Sequence, residues 1–494
     1  MRNTAIIGIL LLLGGSFLSC NKMLDIPSHR ALTEENMWQN KNDARAGLTA
    51  CYALMRAAIV NENAHWAYGD LRGGDFQVTK RGDLQAVKES NLNANFTTMD
   101  QWRDWRRFYA AIAQCNLTID RLPGIVKKDY RYSQNEMVLD LAQARYVRAF
   151  LYYYMVRIWG DVPLVTLPAD GTTKVIAREN WRKVLDFSIS EALASIEGLP
   201  WRYNGQSPEQ QGEYRGQGIG HHASIFATKG MAYTLAAHAY VWQDDYPNAL
   251  KYIDIVINNQ SLTDYYFVSA DELTRLNGSF YGRGRSNIFQ IDLNFDHAEI
   301  ASTGQLEDWT LREPDIPKRE SEIYVSKDSI LSIYNERRDE RFERYFTKMN
   351  ETYPVFYKNK QLDGAVKNPT LKLYSSCIII FRYEELFLLR AECRLRLGMD
   401  NAVDDLNTIR GQRALKNING NLVKGDALMD AIFLERRREL MGEGWYWYDL
   451  IHFKKIPVYT NLTQADVNNG AAYWPLSQSA LSNNKSLVQN SFWK

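Results

Sequence analysis

Between Leu139 and Val156 apolar side chains recur at Leu139, Ala142, Tyr146, Ala149, Tyr153 and Val156, at spacings of 3, 4, 3, 4 and 3. Helical geometry returns those positions to one face, so the pattern predicts a long amphipathic helix stopping at Gly160, before Pro163. Further helices are expected at about 101–121, ending at Pro123-Gly124, and at about 180–197, closed by Gly198 and Pro200. Two more flank the polar break Gln243-Asp244-Asp245. The first carries Gly230, Ala232, Ala236 and Ala239; the second carries Ala249, Ile253, Val256 and Ile257. Small residues facing a bulky stripe suit the close antiparallel pairing of tetratricopeptide-like units. Another pair is expected at about 382–397 (Leu386, Leu389, Ala391) and 400–413 (Ala402, Leu406, Ile409), joined at Gly398, with a further helix at about 426–441.

Helix pairs therefore recur, without a strict period. The expected fold class is mainly α: a tetratricopeptide-like helical-repeat core with long irregular insertions at about 61–100, 201–221 and 260–375. The insertions are rich in Gly, Asn, Asp and aromatics. Irregular chain on a rigid scaffold is where binding residues concentrate.

The N-terminus bears on the compartment. Arg2 is a short positive region, and Ala5–Leu13 is an apolar run of nine residues, too short to span a bilayer. The run leads through Gly14-Gly15-Ser16-Phe17-Leu18-Ser19 to Cys20, which looks like a bacterial lipoprotein signal with Phe17 where Leu is usual. On that reading residues 1–19 are a signal peptide, Cys20 is the lipidation site, and 20–494 form one domain. Acyl chains contribute about 0.8 kcal/mol per buried CH₂, so two or more anchor stably in a membrane.

Charge excludes one class of partner. The chain carries 59 Lys+Arg against 58 Asp+Glu, so no bulk attraction draws it to nucleic acid. Cys51, Cys115, Cys377 and Cys393 show no CxxC spacing and read as buried thiols; neither zinc nor any other cofactor is expected. His221-His222 are adjacent and point apart on a helix. Gly216-Gln217-Gly218-Ile219-Gly220 has His221 where a dinucleotide loop needs its third glycine, so it reads as an ordinary loop.

One motif could be taken for an acid–base centre. Leu428, Ile432, Glu435 and Glu439 share a helical stripe, which places two carboxylates on one face. Arg436, Arg437 and Arg438 stand beside them and would lower both pKa values, whereas a glycosidase needs one raised. An ion-pair network is the favoured reading.

The aromatics number 13 Trp, 29 Tyr and 19 Phe. Tyr152, Tyr153, Tyr154, Trp159, Trp445 and Trp447 are expected in the core. Irregular segments hold others: His65–Phe76, with Trp66, Tyr68, Asp70, Arg72, Asp75 and Phe76; Asn277–Arg283, with Phe280 and Tyr281; and Trp309 and Tyr324. Sugar rings stack their C–H faces on aromatic rings while their hydroxyls seek Asp, Asn, Arg and Gln. The expected ligand residues are therefore Trp66, Tyr68, Asp70, Arg72, Asp75, Phe280, Tyr281, Trp309 and Tyr324, with Trp66 and Trp309 foremost.

Several blocks, in order, resemble the SusD/RagB family of surface nutrient-binding lipoproteins. They begin with Leu24-Asp25-Ile26-Pro27-Ser28, Thr33-Glu34-Glu35-Asn36, Ala144–Phe150, and Trp159-Gly160-Asp161-Val162-Pro163-Leu164. They continue with Arg382–Leu386, Leu389–Glu392, Leu406–Arg410, Glu435–Leu440, Glu443-Gly444 and Asp449-Leu450, and close with Trp474-Pro475-Leu476 and Gln489-Asn490. The resemblance spans essentially the whole mature chain. It implies a tetratricopeptide-like core, ligand loops on one face, no catalysis, and a cell-surface position anchored to the outer membrane. It also implies capture of an oligosaccharide for a SusC-like TonB-dependent outer-membrane transporter. Within the family the alternative is a peptide-binding homologue; outside it, a surface glycoside hydrolase.

Overall fold

The computed structural model describes residues 37–494 apart from 170, 172–174, 217–221, 283, 294–304 and 364–372. The signal segment, Cys20, the blocks Leu24–Ser28 and Thr33–Asn36, His221, Arg283 and most of the Gly216–Gly220 loop lie outside the described residues.

Helix α1 (Lys41–Val60) starts where the Asn40 side chain accepts hydrogen bonds from the Asn42 and Asp43 N–H groups, at 2.9 and 3.2 Å. Asp43 accepts in return from the Asn40 N–H at 3.0 Å, a reciprocal cap. A short α2 (Ala64–Gly69) and strand β1 (Phe76–Val78) follow, then α3 (Arg106–Ile125) and α4 (Gln134–Trp159). The sequence ends α3 at Pro123; the helix instead carries Pro123 in its last turn and reaches Ile125. Leu122 and Ile125 are buried there with Trp38 and Tyr132, and that packing outweighs the missing N–H.

For α4 the sequence predicts a single apolar face, but every residue from Tyr146 to Trp159 is buried. Helices α1, α3 and α5 (Trp181–Ser195) pack around it. Within this core the Arg148 guanidinium meets Glu191 at 3.1 Å and Asn116 at 2.7 Å. Gly160, at φ +69°, ends the helix where expected. Next, α6 (Lys229–Trp242) and α7 (Tyr246–Asn258) turn back on each other across Gln243–Asp245. Gly230 lets Tyr265, beyond the end of α7, pack on α6, since a Cβ would come within 2.9 Å of the Tyr265 hydroxyl.

The 260–375 insertion contains β2 (Asn287–Ile291), α8 (Leu306–Thr310), β3 (Ile323–Val325), β4 (Phe346–Thr347) and β5 (Val355–Phe356). After it, β6 (Ile378–Arg382) pairs antiparallel with β2, and all residues of both strands are buried. Phe150 of α4 meets Phe289 and Phe381 of this ribbon at 5.1 and 6.4 Å. A strand covered on both faces shows no alternation, so neither was visible in the sequence. The chain ends with α9 (Tyr383–Arg396), α10 (Ala402–Gln412), α11 (Gly425–Leu440) and α12 (Tyr446–His452). Each long helix packs on the next: α5 on α6, α6 on α7, α7 on α9, and α9 on α10 and α11. The fold is mainly α, with helix pairs of tetratricopeptide-like character. Among the described residues no helix is long and apolar enough to cross a membrane.

Candidate ligand-binding cleft

The structure corrects most of the expected ligand residues. The 65–76 segment does not face solvent; it clasps the C-terminal third. His65 Nδ1 accepts from the Tyr154 hydroxyl at 2.8 Å, while its Nε2–H donates to the Glu443 carbonyl at 2.9 Å. Burial lowers the His65 pKa to about 4, so the ring is neutral. Trp66, only 2% exposed, donates from Nε1 to the Gly442 carbonyl at 3.2 Å. Tyr68 donates to the Trp102 carbonyl at 2.7 Å, and Asp70 accepts from the Gly444 N–H at 2.6 Å. Arg72 lies 3.9 Å from the Trp447 ring centre and donates to the carbonyls of Ala471 and Ala472 at 2.8 and 3.1 Å. Asp75 is buried against Arg437, with contacts of 3.0 and 3.1 Å. Gly69 and Gly444 permit the approach, since a Cβ on Gly69 would stand 2.1 Å from the Gly444 carbonyl oxygen. These rings and charges have protein partners, and none offers a face to a solvent-borne ligand.

Phe280 is likewise buried, and its carbonyl accepts from the Cys377 N–H at 2.6 Å. Trp309 is 2% exposed. Tyr281 and Tyr324 remain partly exposed. Their two positions are the expected aromatic residues that solvent still reaches.

Tyr324 leads to an open cleft. Strand β1 pairs antiparallel with β3, placing Gln77 opposite Tyr324. Ile323 and Val325 turn into the core, so alternation along β3 turns Tyr324 outward. Beyond the strand end, the Thr79 N–H donates to the Glu322 carbonyl at 3.0 Å and the Thr79 hydroxyl to the Ser321 carbonyl at 2.8 Å. Glu322 in turn donates its N–H to the Trp309 carbonyl at 2.8 Å. Trp309 thus lies buried beneath Arg81 rather than forming a platform: the guanidinium stands 5.9 Å from its ring centre, and the ring packs edge-on to Trp102. The opposite wall is the turn of the β4–β5 hairpin, held by an Arg312 hydrogen bond to the Tyr353 carbonyl at 3.3 Å. Between these walls lies a cleft of about 1000 Å³. Tyr353 lines it and packs on Tyr324, ring centres 4.7 Å apart.

Its electrostatics are those of a polar, cation-rich groove. Lys80 pairs with Glu320 at 2.6 Å, and that contact holds the Glu320 carboxyl below its ordinary range. Arg81 reaches Glu322 at 2.9 Å as well as Asp83, and Lys318 bonds both Asp308 and Glu322 at 2.9 Å. Arg312 pairs with Glu351. Tyr353 and the cations were missed by aromatic patterning. The available signal was the basic pair Lys80-Arg81 one residue after β1, matched by Lys318-Arg319 three residues before β3. A smaller cleft, about 300 Å³, lies between Trp201–Asn204 and Thr263–Tyr265.

The paired carboxylates on α11 are buried in an ion network. Glu439 accepts from Arg413 at 2.6 and 2.9 Å, Arg382 at 2.7 Å and Arg341 at 2.9 Å. Glu435 pairs with Arg341 at 2.7 Å and with Arg410 at 3.3 Å. The partners differ from those expected: Arg436 serves Glu385 and Asp449, Arg437 serves Asp75, and of the three adjacent arginines only Arg438 approaches Glu435, at 3.4 Å. Neither carboxylate is open to a substrate. Cys51, Cys115, Cys377 and Cys393 are buried free thiols, and the six aromatics assigned to the core are buried.

Two family models match the chain: the SusD family over residues 344–493, and a model described as starch-binding associating with outer membrane over 32–212. A SusD superfamily protein of Bacteroides thetaiotaomicron VPI-5482 is 36% identical, with a TM-score of 0.83 over 93% of this chain and 100% of that one. SusD-like protein P38 of Formosa agariphila is 24% identical over 99% of each chain. Surface glycan-binding protein A of Bacteroides uniformis shares the fold at 20% identity, with a TM-score of 0.70 over 92% of this chain and 100% of that one.

Proposed function

The chain belongs to the SusD family, and from that premise we propose that it captures an oligosaccharide at the cell surface and delivers it to a SusC-like TonB-dependent outer-membrane transporter. The observation that carries the reading is the cleft beside β1 and β3, with its volume of about 1000 Å³ and its edge of Tyr353 on Tyr324. Aromatic faces take the C–H side of a sugar ring, while the guanidinium, ammonium and amide donors around them take its hydroxyls. Support also comes from the starch-binding, outer-membrane description of the model matching 32–212, and from the glycan named for the Bacteroides uniformis neighbour. Acylation at Cys20 would hold the protein at the membrane, and the role is capture without catalysis.

Affinity electrophoresis of the purified full chain through gels containing different polysaccharides tests this. One or more polymers should retard the wild-type protein. If stacking on sugars is comparable with stacking on bases, about 1–3 kcal/mol per ring, then Tyr324→Ala/Tyr353→Ala should weaken retention by tenfold or more. The variant should melt close to wild type, because both rings are partly exposed. Undiminished retention in that variant would contradict the assignment.

A further inference from the structure

We infer that the glycan taken by this cleft is anionic, carrying carboxylate or sulfate groups. The inference rests on the glycan reading of the same cleft and adds the chemical class. Of the twelve residues lining the cleft, five are basic and three are acidic, although the whole chain balances 59 against 58. The lining is therefore richer in cations than the chain as a whole.

The three lining acids are already engaged. Glu322 is shared between Arg81 and Lys318, Glu320 accepts from Lys80, and Glu351 from Arg312. Asp83 and Asp308 pair with Arg81 and Lys318 from outside the lining and bring the acids to five against five cations, so what sets the groove apart is not net charge but donors that these pairs do not use up. A guanidinium has five N–H groups and an ammonium three, so the cations retain N–H groups for a ligand. Two of them are well placed to supply these: the Lys80 side chain is 78% exposed, and Arg319 is exposed with no ion pair among the described residues. A neutral sugar would leave that charge unused. A uronate or sulfate ester would accept charge-assisted hydrogen bonds from it while its ring stacks on the Tyr353 edge.

The test compares retention of the full chain in gels containing polygalacturonate, dextran sulfate or neutral dextran, for wild type, Lys80→Glu/Arg319→Glu and Tyr324→Ala/Tyr353→Ala. Wild type should be retarded by polygalacturonate or dextran sulfate, less so as salt rises. Charge reversal should weaken that retention on the order of tenfold. The two anionic gels separate carboxylate from sulfate as the preferred group. Retention by dextran alone, lost with the tyrosine pair and indifferent to charge reversal, would overturn the anionic assignment and leave the glycan reading standing. Retention by none of the three, or retention surviving both variants, would overturn the anionic assignment. Only the second of those outcomes would also remove the cleft from the glycan reading.

Discussion

Glu439→Gln is expected to destabilise the protein by about 3–5 kcal/mol, because it removes one charge from a buried network and leaves its partners unmatched. The carboxylate is fully buried and receives three guanidiniums, those of Arg341, Arg382 and Arg413. Glutamine keeps the shape but cannot answer them. Burial alone would raise the Glu439 pKa; Arg413 and Arg382 reverse that and hold it well below the ordinary carboxylate range. A depressed folded-state pKa gives stabilisation that is fully present above the unfolded value of about 4.3 and is lost as pH falls through the folded one. The gap between wild type and Glu439→Gln should therefore stay constant from neutral to mildly acidic pH and close only in strong acid. Denaturant melts across that range measure it. A variant within about 1 kcal/mol of wild type at neutral pH would show that the network does not hold α11.

Trp66→Ala should be comparably severe, at about 3–5 kcal/mol, which is usual for truncating a buried indole. The ring fills the interior beneath the clasp and its Nε1–H pins the Gly442 carbonyl. Its loss opens a cavity between the N-terminal segment and the C-terminal helices. The folded fraction should bind glycan as wild type does. Calorimetric titration beside thermal melts separates the two effects: unchanged stability with lost affinity would place Trp66 in the ligand site after all.

How far the sequence could be read depends on what each pattern encodes. Helix periodicity located α4 through α7 and α9 through α11 because a buried stripe leaves a repeat of 3 and 4 in the residues. It did not show that α4 is buried on every side from Tyr146 on, since Arg148 and Arg157 interrupt its apolar runs and Arg148 is satisfied by residues brought in from α3, α5 and the loop at Thr166. The ion network was legible as a charge pattern on α11, but its partners Arg341, Arg382 and Arg413 are distant in sequence, so neighbours were credited instead. The site was the least legible part. A tryptophan in a glycine-rich stretch reads as an exposed platform, yet Trp66 sits there because Gly69 and Gly444 let two backbones nearly touch. Exposure is set by what packs on top, and no local pattern reports that. Tyr324 was reachable because period-two burial along a short strand turns it outward. Tyr353 belongs to a hairpin turn that carries no period at all.

On the proposed reading, a glycan binds between the end of β1, the 312–322 segment and the β4–β5 turn. Hydrogen exchange of the full chain, with and without the polysaccharide that retards it, tests this most directly. Exchange should slow at Thr79–Arg81, Lys318–Tyr324 and Lys348–Tyr353, with the 65–76 clasp unchanged. Protection confined to Trp201–Asn204 and Thr263–Tyr265, or absent from the cleft while binding is saturated, would contradict it.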